Sequence, residues 1–196
     1  MRKRTTQEMG RLSVADYRAA DKLPLVVVLD NVRSQHNVGA VFRTADAMRI
    51  ERVDLCGICC CPPNQELHKT ALGAEETVEW RYFKDTLEAV RALQADGYIV
   101  YAVEQAHDAS TLEEVAEQII NHPYGDSRSE ESSIINCPKI AVILGHEVFG
   151  VQQEVIDICD GCIEIPQYGT KHSMNVSVTA GIVMYRLSEA LRGVKE

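Results

Sequence analysis

The chain has no hydrophobic stretch long enough to cross a membrane. No apolar run approaches the roughly 20 residues that a transmembrane helix needs, although hydrophobic residues make up 45% of the 196 residues. Met1-Arg2-Lys3-Arg4 is followed by polar residues and not by the apolar core of a signal peptide. We therefore expect a cytoplasmic protein with no membrane contact. A chain of this length has room for one well-filled core.

The chain also lacks the cysteine pattern of a disulfide-bonded protein. Its seven cysteines are an odd number, and three of them are adjacent at positions 59–61. Two Cys-x-x-Cys pairs, Cys56/Cys59 and Cys159/Cys162, could in principle bind zinc through four thiolates. Neither pair lies in a recognisable zinc-binding motif. Reduced, mostly buried cysteines are therefore the better interpretation, and no metal is expected.

An excess of positive charge, which favours binding to nucleic acids, is missing as well. The formal net charge is −9, whereas neutralisation of phosphates dominates nucleic-acid affinity. Residues 104–135 contain eight acids and one base, a net charge of −7 that leaves −2 for the rest of the chain. Residues 1–11 carry +3. A basic N-terminal arm over residues 1–24 is compatible with oriented RNA binding, and equally with a solvated tail.

Short β-rich runs alternate with longer helical segments along the rest of the chain. Continuous apolar or β-branched runs predict strands at 25–30, 52–57, 77–80, 98–103, 139–144 and 162–165. Helical spacing predicts helices at about 38–48, 86–95, 111–121, 152–158 and 175–191, and the polar stretch 122–138 is predicted to be a loop. This alternation favours one α/β domain over residues 25–196, with a mostly parallel sheet and helices on both faces.

Three polar segments follow predicted strands, where a parallel sheet exposes its ligand-binding residues. In residues 29–45, a helix is predicted to begin near Asn37, a residue type favoured at N-caps. Arg43 lies about 200° around this helix from Val41, among small residues, so it can lean over the loop towards a ligand. A surface arginine in an ion pair would also explain this pattern.

The second segment, residues 141–151, combines an apolar strand with two glycines. Gly145 and Gly150 allow close backbone approach by a ligand. No Lys-Ser/Thr pair follows, which excludes an ATP- or GTP-binding loop. Glu147 between the glycines would also be explained by capping of a helix start.

The third segment, residues 163–178, leads from a strand ending at Pro166 to a helix predicted to begin between Ser173 and Asn175. Helix capping alone would explain both Ser173 and Asn175. The histidines at 36, 146 and 172 each lie in one of the three segments. They have no paired carboxylate or metal-ligand spacing, so none is predicted to be catalytic.

Taken together, the segments resemble the three motifs of the SpoU/TrmH family of RNA 2′-O-ribose methyltransferases. Each motif is weak alone, but all three occur in the family's order and spacing between about residues 25 and 191. The matching residues are Asn37, Gly39, Arg43 and Thr44, then Leu144, Gly145, Glu147 and Gly150, and finally Ile165, Pro166, Gly169, Ser173, Met174, Asn175, Val176 and Ser177.

The resemblance implies a SPOUT fold, an α/β sheet whose C-terminal part forms a deep trefoil knot, although knots are rare in proteins. It implies a homodimer with each site completed across the interface. Its cofactor is S-adenosylmethionine, and many relatives carry an added RNA-binding domain that is not expected here. The residues implied to bind the cofactor are Leu144, Gly145, Gly150, Ile165, Pro166 and Met174.

The implied reaction is methyl transfer to a ribose 2′-hydroxyl of tRNA or rRNA. The family assigns proton removal to the arginine of its first motif, but a guanidinium stays protonated in proteins. Arg43 is therefore interpreted as a residue that pairs with the substrate phosphate and orients the hydroxyl. The residues implied to be catalytic are Arg43, Asn37, Glu147, Ser173 and Asn175.

Two other functions are compatible with parts of the sequence. A knotted RNA-binding protein without activity would keep the fold, but the complete set of five motif residues speaks against it. A nucleotide-dependent oxidoreductase would share the strand–helix alternation, but the first predicted strand is not followed by a G-x-G-x-x-G turn. The motifs do not indicate which RNA or nucleotide is modified, because RNA shape and ribose contacts leave no readable code in them.

Overall fold

The computed structural model describes residues 1–5, 7–121 and 137–193. These residues contain one sheet of seven strands in the order β3-β2-β1-β6-β4-β7-β5, and every neighbouring pair is parallel. The strands are β1 (Leu23–Asp30), β2 (Ile50–Cys56), β3 (Glu79–Phe83), β4 (Ile99–Val103), β5 (Ser110–Thr111), β6 (Ile140–Leu144) and β7 (Gly161–Glu164).

Eight α-helices connect or flank these strands in the described part of the chain, after a short 3-10 turn at Gln7–Met9. None of them is long and apolar enough to cross a membrane. The helices are α1 (Val14–Ala19), α2 (Gln35–Met48), α3 (Gln65–Ala71), α4 (Ala74–Thr77), α5 (Thr86–Ala95), α6 (Leu112–Ile120), α7 (Gln153–Ile156) and α8 (Val176–Arg192).

Helices cover both faces of the sheet, as predicted. On β1, Leu25, Val27 and Leu29 face a core shared with α2, α3, α6 and α8. Val26 and Val28 face the opposite core, which α5 and α7 cover. All five side chains are fully buried. The unbroken apolar run in this strand therefore reflects burial on both faces and not a helical repeat.

Most predicted elements are confirmed, with two corrections. The strand predicted at 77–80 is wrong at its start, because Thr77 ends α4 and β3 begins at Glu79. The helix predicted to begin near Asn37 begins at Gln35, and Ser34 is its N-cap. Helices α1, α3 and α4 and strand β5 are missing from the prediction because seven residues or fewer show no clear periodicity. The predicted loop at 122–138 lies almost entirely outside the described residues.

Part of the stretch predicted as an N-terminal arm packs on the domain. Helix α1 contacts α4, and Tyr17 on α1 is buried. Leu23 already belongs to β1, so a boundary at residue 24 falls inside a strand. Residues 1–5 and 7–13 are exposed.

Gly39 of the first motif lets α3 pack directly on α2. A Cβ atom at this position would lie 2.2 Å from the Thr70 Oγ1 and 2.3 Å from the Leu67 carbonyl oxygen, and the second of these is rigid backbone. We expect Gly39→Ala to lower the free energy of unfolding by about 1–3 kcal/mol, because the two helices must separate. Urea unfolding measures this change, and a variant as stable as the wild type would contradict it.

Candidate active site

A cleft of about 1130 Å³ lies at the carboxyl ends of β4, β6 and β7. Ligands of parallel α/β sheets bind at this edge because the loops that leave the strands converge there. Five of the six residues implied to bind the cofactor line the cleft, and Pro166 is not among the lining residues. The five are Leu144, Gly145, Gly150, Ile165 and Met174.

The loop that follows β6 closes on itself at its two glycines. His146 and Gly150 exchange two backbone hydrogen bonds, of 3.0 and 2.9 Å. A Cβ atom at Gly145 would lie 2.0 Å from the Gly150 carbonyl carbon, and Gly150 has a φ of +69°. Only glycine fits at both positions without strain. Backbone of the 145–150 loop is thereby presented to the cleft.

A chain of side-chain hydrogen bonds joins all three motifs beside the cleft. The Asn175 Nδ2 donates to the Asn37 Oδ1 at 3.2 Å, and the Asn37 Nδ2 donates to the Glu147 Oε1 at 3.1 Å. Glu147 also accepts the backbone N–H groups of Ser34 at 2.9 Å and Arg33 at 3.2 Å. Residues more than 100 positions apart in the sequence are thus fixed against one another, which gives the site a defined geometry.

The Glu147 carboxylate is stabilised in its charged form. Partial burial raises its pKa, but hydrogen bonds from backbone N–H groups and from the Asn37 amide lower it by more. The net pKa is below the ordinary value of 4.5. Its backbone partners Arg33 and Ser34 precede the first residue of α2, so Glu147 fixes the chain at the start of this helix, while the Ser34 side chain caps the helix itself.

Asn175 caps a helix and also contacts a residue of another motif. It is the N-cap of α8, and its Oδ1 accepts the Ser177 backbone N–H at 2.9 Å. Its Nδ2 is left to donate to Asn37. Helix capping, which the sequence offered as one explanation of Asn175, is confirmed, and the same side chain also contacts Asn37 of the first motif.

The predicted catalytic residues are not all in one place. Glu147, Ser173 and Asn175 line the cleft, and Asn37 is hydrogen-bonded to two of these three. Arg43 is exposed on α2 and does not line the cleft. Within the described residues its guanidinium makes no hydrogen bond or ion pair, so the salt-bridged surface arginine that the sequence allowed is not what the structure contains.

Two carboxylates next to the cleft were not identified from the sequence. Asp30 ends β1, is fully buried, and accepts hydrogen bonds from Thr86, Asn31 and both the backbone and the side chain of Gln152. Glu104 follows β4 and lines the cleft. The available signal was their position, with Asp30 as the last residue of β1 and Glu104 directly after β4, but the sequence analysis assigned Glu104 to the acidic segment 104–135.

The cysteines form no disulfide bond within the described residues, but fewer are buried than predicted. Cys56 and Cys59 are buried, and the remaining five are only partly buried. Burial raises the pKa of Cys59 and of Cys159 to about 12, so both thiols are protonated at neutral pH. In the part of the chain that the structure describes, no three His, Cys, Asp or Glu side chains form a group able to hold a metal ion.

The fold and the site match a known family. The model of the SpoU rRNA Methylase family matches residues 24–185, most of the chain. The chain therefore belongs to the SpoU rRNA methylase family, and the resemblance of its three motifs is confirmed.

Named relatives and solved structures agree with this assignment. The chain is 30% identical to a tRNA (guanosine(18)-2′-O)-methyltransferase of Thermus thermophilus over 94% of this chain and 84% of the relative. It is also 30% identical to a 23S rRNA (guanosine-2′-O-)-methyltransferase of Neisseria meningitidis, over 82% of this chain and 56% of the relative. The TrmH/SpoU tRNA modifying enzyme of A. aeolicus has a TM-score of 0.71 at 22% identity, covering 90% of this chain and 81% of that one.

A second solved structure, an AdoMet-bound rRNA methyltransferase from Sinorhizobium meliloti, has a TM-score of 0.68 at 23% identity. The match covers 87% of this chain and 59% of that one. At these identities the two structures establish the common fold, and the family match at residues 24–185 spans all three motifs.

Proposed function

We propose that this protein transfers a methyl group from S-adenosylmethionine to a ribose 2′-hydroxyl of tRNA or rRNA. The observation that carries the proposal is the hydrogen-bond chain Asn175–Asn37–Glu147, which joins the three family motifs at one cleft. The curated relatives are named for 2′-O-methylation of tRNA and of rRNA. Since such RNAs are made and used there, we place the activity in the cytoplasm.

The cleft has the size and lining that the cofactor needs. Its volume of about 1130 Å³ is slightly above the roughly 300–1,000 Å³ usual for small-molecule sites, so the cofactor fits inside it. Leu144, Ile165 and Met174 give it an apolar wall suited to an adenine ring. The 145–150 loop lines the cleft along its whole length, so its backbone groups are available to bind the cofactor.

When bound, S-adenosylmethionine supplies an electrophilic methyl group on a sulfonium, whose thioether is an excellent leaving group. The ribose 2′-hydroxyl gives up its proton to solvent water as its oxygen bonds to the methyl group and the methyl–sulfur bond breaks, and the protein must orient this hydroxyl. Arg43 pairs with the substrate phosphate and directs the 2′-oxygen, while Asn37 and Glu147 hold the first-motif loop in place. Ser173 and Asn175 shape the side of the cleft where the ribose lies. Positioning of this kind can lower a barrier by several kcal/mol.

A homodimer would bring Arg43 to a cleft. Arg43 lies outside the cleft of its own protomer, yet it belongs to the motif whose Asn37 contacts the cleft residues. Helix α8 begins at the cleft with Asn175 and carries an exposed apolar stripe of Val178, Ile182 and Tyr185, which are 54%, 39% and 57% exposed. We propose that a second copy covers this stripe and contributes Arg43 to the neighbouring site.

The C-terminal part of the domain is proposed to form the trefoil knot of the SPOUT fold. The support is the strand order, in which β4 lies between β6 and β7, both later in the chain. Helix α8 then packs against α2, α6 and β1. This strand order is compatible with the knotted C-terminal part that the family resemblance implies.

The N-terminal residues are proposed to assist RNA binding. Lys3, Arg4 and Arg11 are exposed, whereas Arg2 is paired with Glu8 within the same segment. Contacts of this kind to phosphates strengthen binding without reading sequence, so they would be sensitive to salt. Residues 14–23, in contrast, belong to the packed domain.

A direct assay tests the reaction. We expect the purified protein to transfer tritium from methyl-labelled S-adenosylmethionine to tRNA or to rRNA. After complete nuclease digestion, the label should be found in 2′-O-methylated nucleosides. Label on a base would contradict the proposed oxygen acceptor. RNA binding without any transfer would support the inactive knotted RNA-binding protein instead.

A further inference from the structure

Glu104 supports the 145–150 loop of the cleft. Its Oε2 accepts the Val151 backbone N–H at 3.1 Å. A Cβ atom at Gly150 would lie 2.0 Å from that same oxygen, so the carboxylate occupies the space that a side chain there would need. Glu104 is itself held by β7, because its backbone N–H donates to the Ile163 carbonyl at 3.1 Å.

Gln105, the next residue, reaches the other loop of the cleft. Its Nε2 donates to the His172 carbonyl oxygen at 2.6 Å. Among the hydrogen bonds of the described residues, this is the only one that joins residues 166–174 to the rest of the chain. Residues 166–173 are all exposed, so packing contributes little to holding this loop. Gln105 is therefore its principal anchor.

We propose that Glu104 and Gln105 form a positioning pair that holds both cofactor-binding loops in their binding conformation. The inference rests on the proposed function, since it assigns these loops to S-adenosylmethionine. The two residues are consecutive at the end of β4, and each of them fixes one loop on either side of the cleft. They act on the cofactor through the loops and need no contact with the reacting atoms.

The expected consequence is an effect on cofactor affinity and not on the chemical step. A loop that is ordered before binding loses less conformational freedom when the ligand enters, which strengthens binding. Once the cleft is saturated, the loops are held by the ligand itself. Variants of the pair should therefore raise the Kd and KM for the cofactor and leave kcat nearly unchanged.

Calorimetric titration of the full-length protein with S-adenosylhomocysteine, the demethylated cofactor, tests the proposal without turnover. We expect Gln105→Ala to raise the Kd about 5- to 20-fold and Glu104→Ala to raise it at least about 10-fold. Glu104→Gln keeps an acceptor oxygen for the Val151 N–H and should bind within about threefold of the wild type. For all three variants, kcat at saturating S-adenosylmethionine should stay within about threefold.

Gln94→Ala is the matched control. Its Nε2 also donates to a backbone carbonyl of a distant segment, that of Ile158 at 2.8 Å, but it does not line the cleft. This variant should bind like the wild type. The proposal is overturned if Gln105→Ala, which removes only an exposed side chain, keeps wild-type affinity, or if kcat falls while Kd does not change. Failure of the wild type to bind S-adenosylhomocysteine would instead contradict the proposed function.

Discussion

Replacing Arg43 by alanine is expected to lower the rate of methyl transfer at least about 100-fold while leaving cofactor binding and stability unchanged. The guanidinium is exposed and makes no hydrogen bond or ion pair within the described residues, so its removal leaves no partner unsatisfied. Its loss removes the group proposed to orient the 2′-hydroxyl, and misplaced reactants cost factors of this size. Single-turnover methylation with saturating cofactor measures the chemical step directly.

Two further variants make this prediction specific. Arg43→Lys keeps the charge but not the planar, two-pronged donor geometry, so we expect it to recover only part of the activity. In contrast, Arg33→Ala, which changes another exposed arginine near the site, should keep its chemical rate. Near-normal turnover of Arg43→Ala would remove Arg43 from the mechanism.

Mixing inactive variants tests whether Arg43 acts across a dimer. Protein carrying Arg43→Ala is combined with protein whose cofactor loop is blocked by Gly145→Val, since any Cβ at Gly145 would overlap the Gly150 backbone. If each site takes its arginine from the partner, an equal mixture should recover up to about one quarter of wild-type activity, because about half of the dimers are mixed and one of their two sites is complete. No recovery after verified subunit exchange would contradict a shared site.

Glu147→Ala is expected to damage both stability and activity. The change leaves the backbone N–H groups of Arg33 and Ser34 and the amide of Asn37 without their acceptor. Unsatisfied donors in a partly buried site should lower the free energy of unfolding by about 1–3 kcal/mol. The loosened first-motif loop should lower the methylation rate about 100-fold at temperatures where the variant remains folded.

The pH dependence of stability provides a check on Glu147 that does not depend on activity. The pKa of this carboxyl is lowered in the folded protein. The carboxylate therefore stabilises the fold at pH values above its ordinary pKa of 4.5. This stabilisation is lost as the pH falls through the lower pKa of the folded state. Glu147→Gln cannot ionise, and its amide nitrogen would face an N–H donor. The wild type should be more stable than this variant at pH 7, and the difference should shrink below about pH 4.5. A difference independent of pH would contradict the assigned hydrogen bonds.

The central strands β1, β2 and β6 were predictable because they are buried on both faces. Continuous apolar runs such as that of β1 are hard to confuse with an amphipathic helix. The short helices were not predictable, since α4 has four residues and α1 has six, too few for a helical repeat to appear. The start of α2 was displaced because Ser34 and Asn37 are both good N-cap types, and the sequence alone does not choose between them.

The motif residues could be predicted from the sequence, but their partners could not. Glu147 was expected to cap a helix close by, whereas it accepts the N–H groups of Arg33 and Ser34, more than 100 residues earlier. Contacts between residues so far apart in the sequence depend on the order of the strands in the sheet. The local pattern of hydrophobic residues does not determine that order. Glu104 and Gln105 were missed for the same reason, because their importance arises only where β4, β6 and β7 end side by side.

Residues of the same motif can serve different purposes, either packing within the fold or placement for the reaction. The sequence alone does not tell these two purposes apart. Gly39 and Arg43 belong to the same motif, but Gly39 serves helix packing against Thr70, whereas the Arg43 guanidinium is exposed and makes no hydrogen bond or ion pair within the described residues. Because this exposed arginine has no structural partner among the described residues, a loss of activity in Arg43→Ala can be assigned to its proposed chemical role.

The most direct test of the whole account is a map of ribose methylation in cellular RNA, obtained by mass spectrometry with and without this protein. The account predicts that at least one 2′-O-methylated nucleotide of tRNA or rRNA disappears when the protein is removed. That methylation should return with the wild-type protein and not with Arg43→Ala. Identical maps with and without the protein, or full restoration by Arg43→Ala, would contradict it.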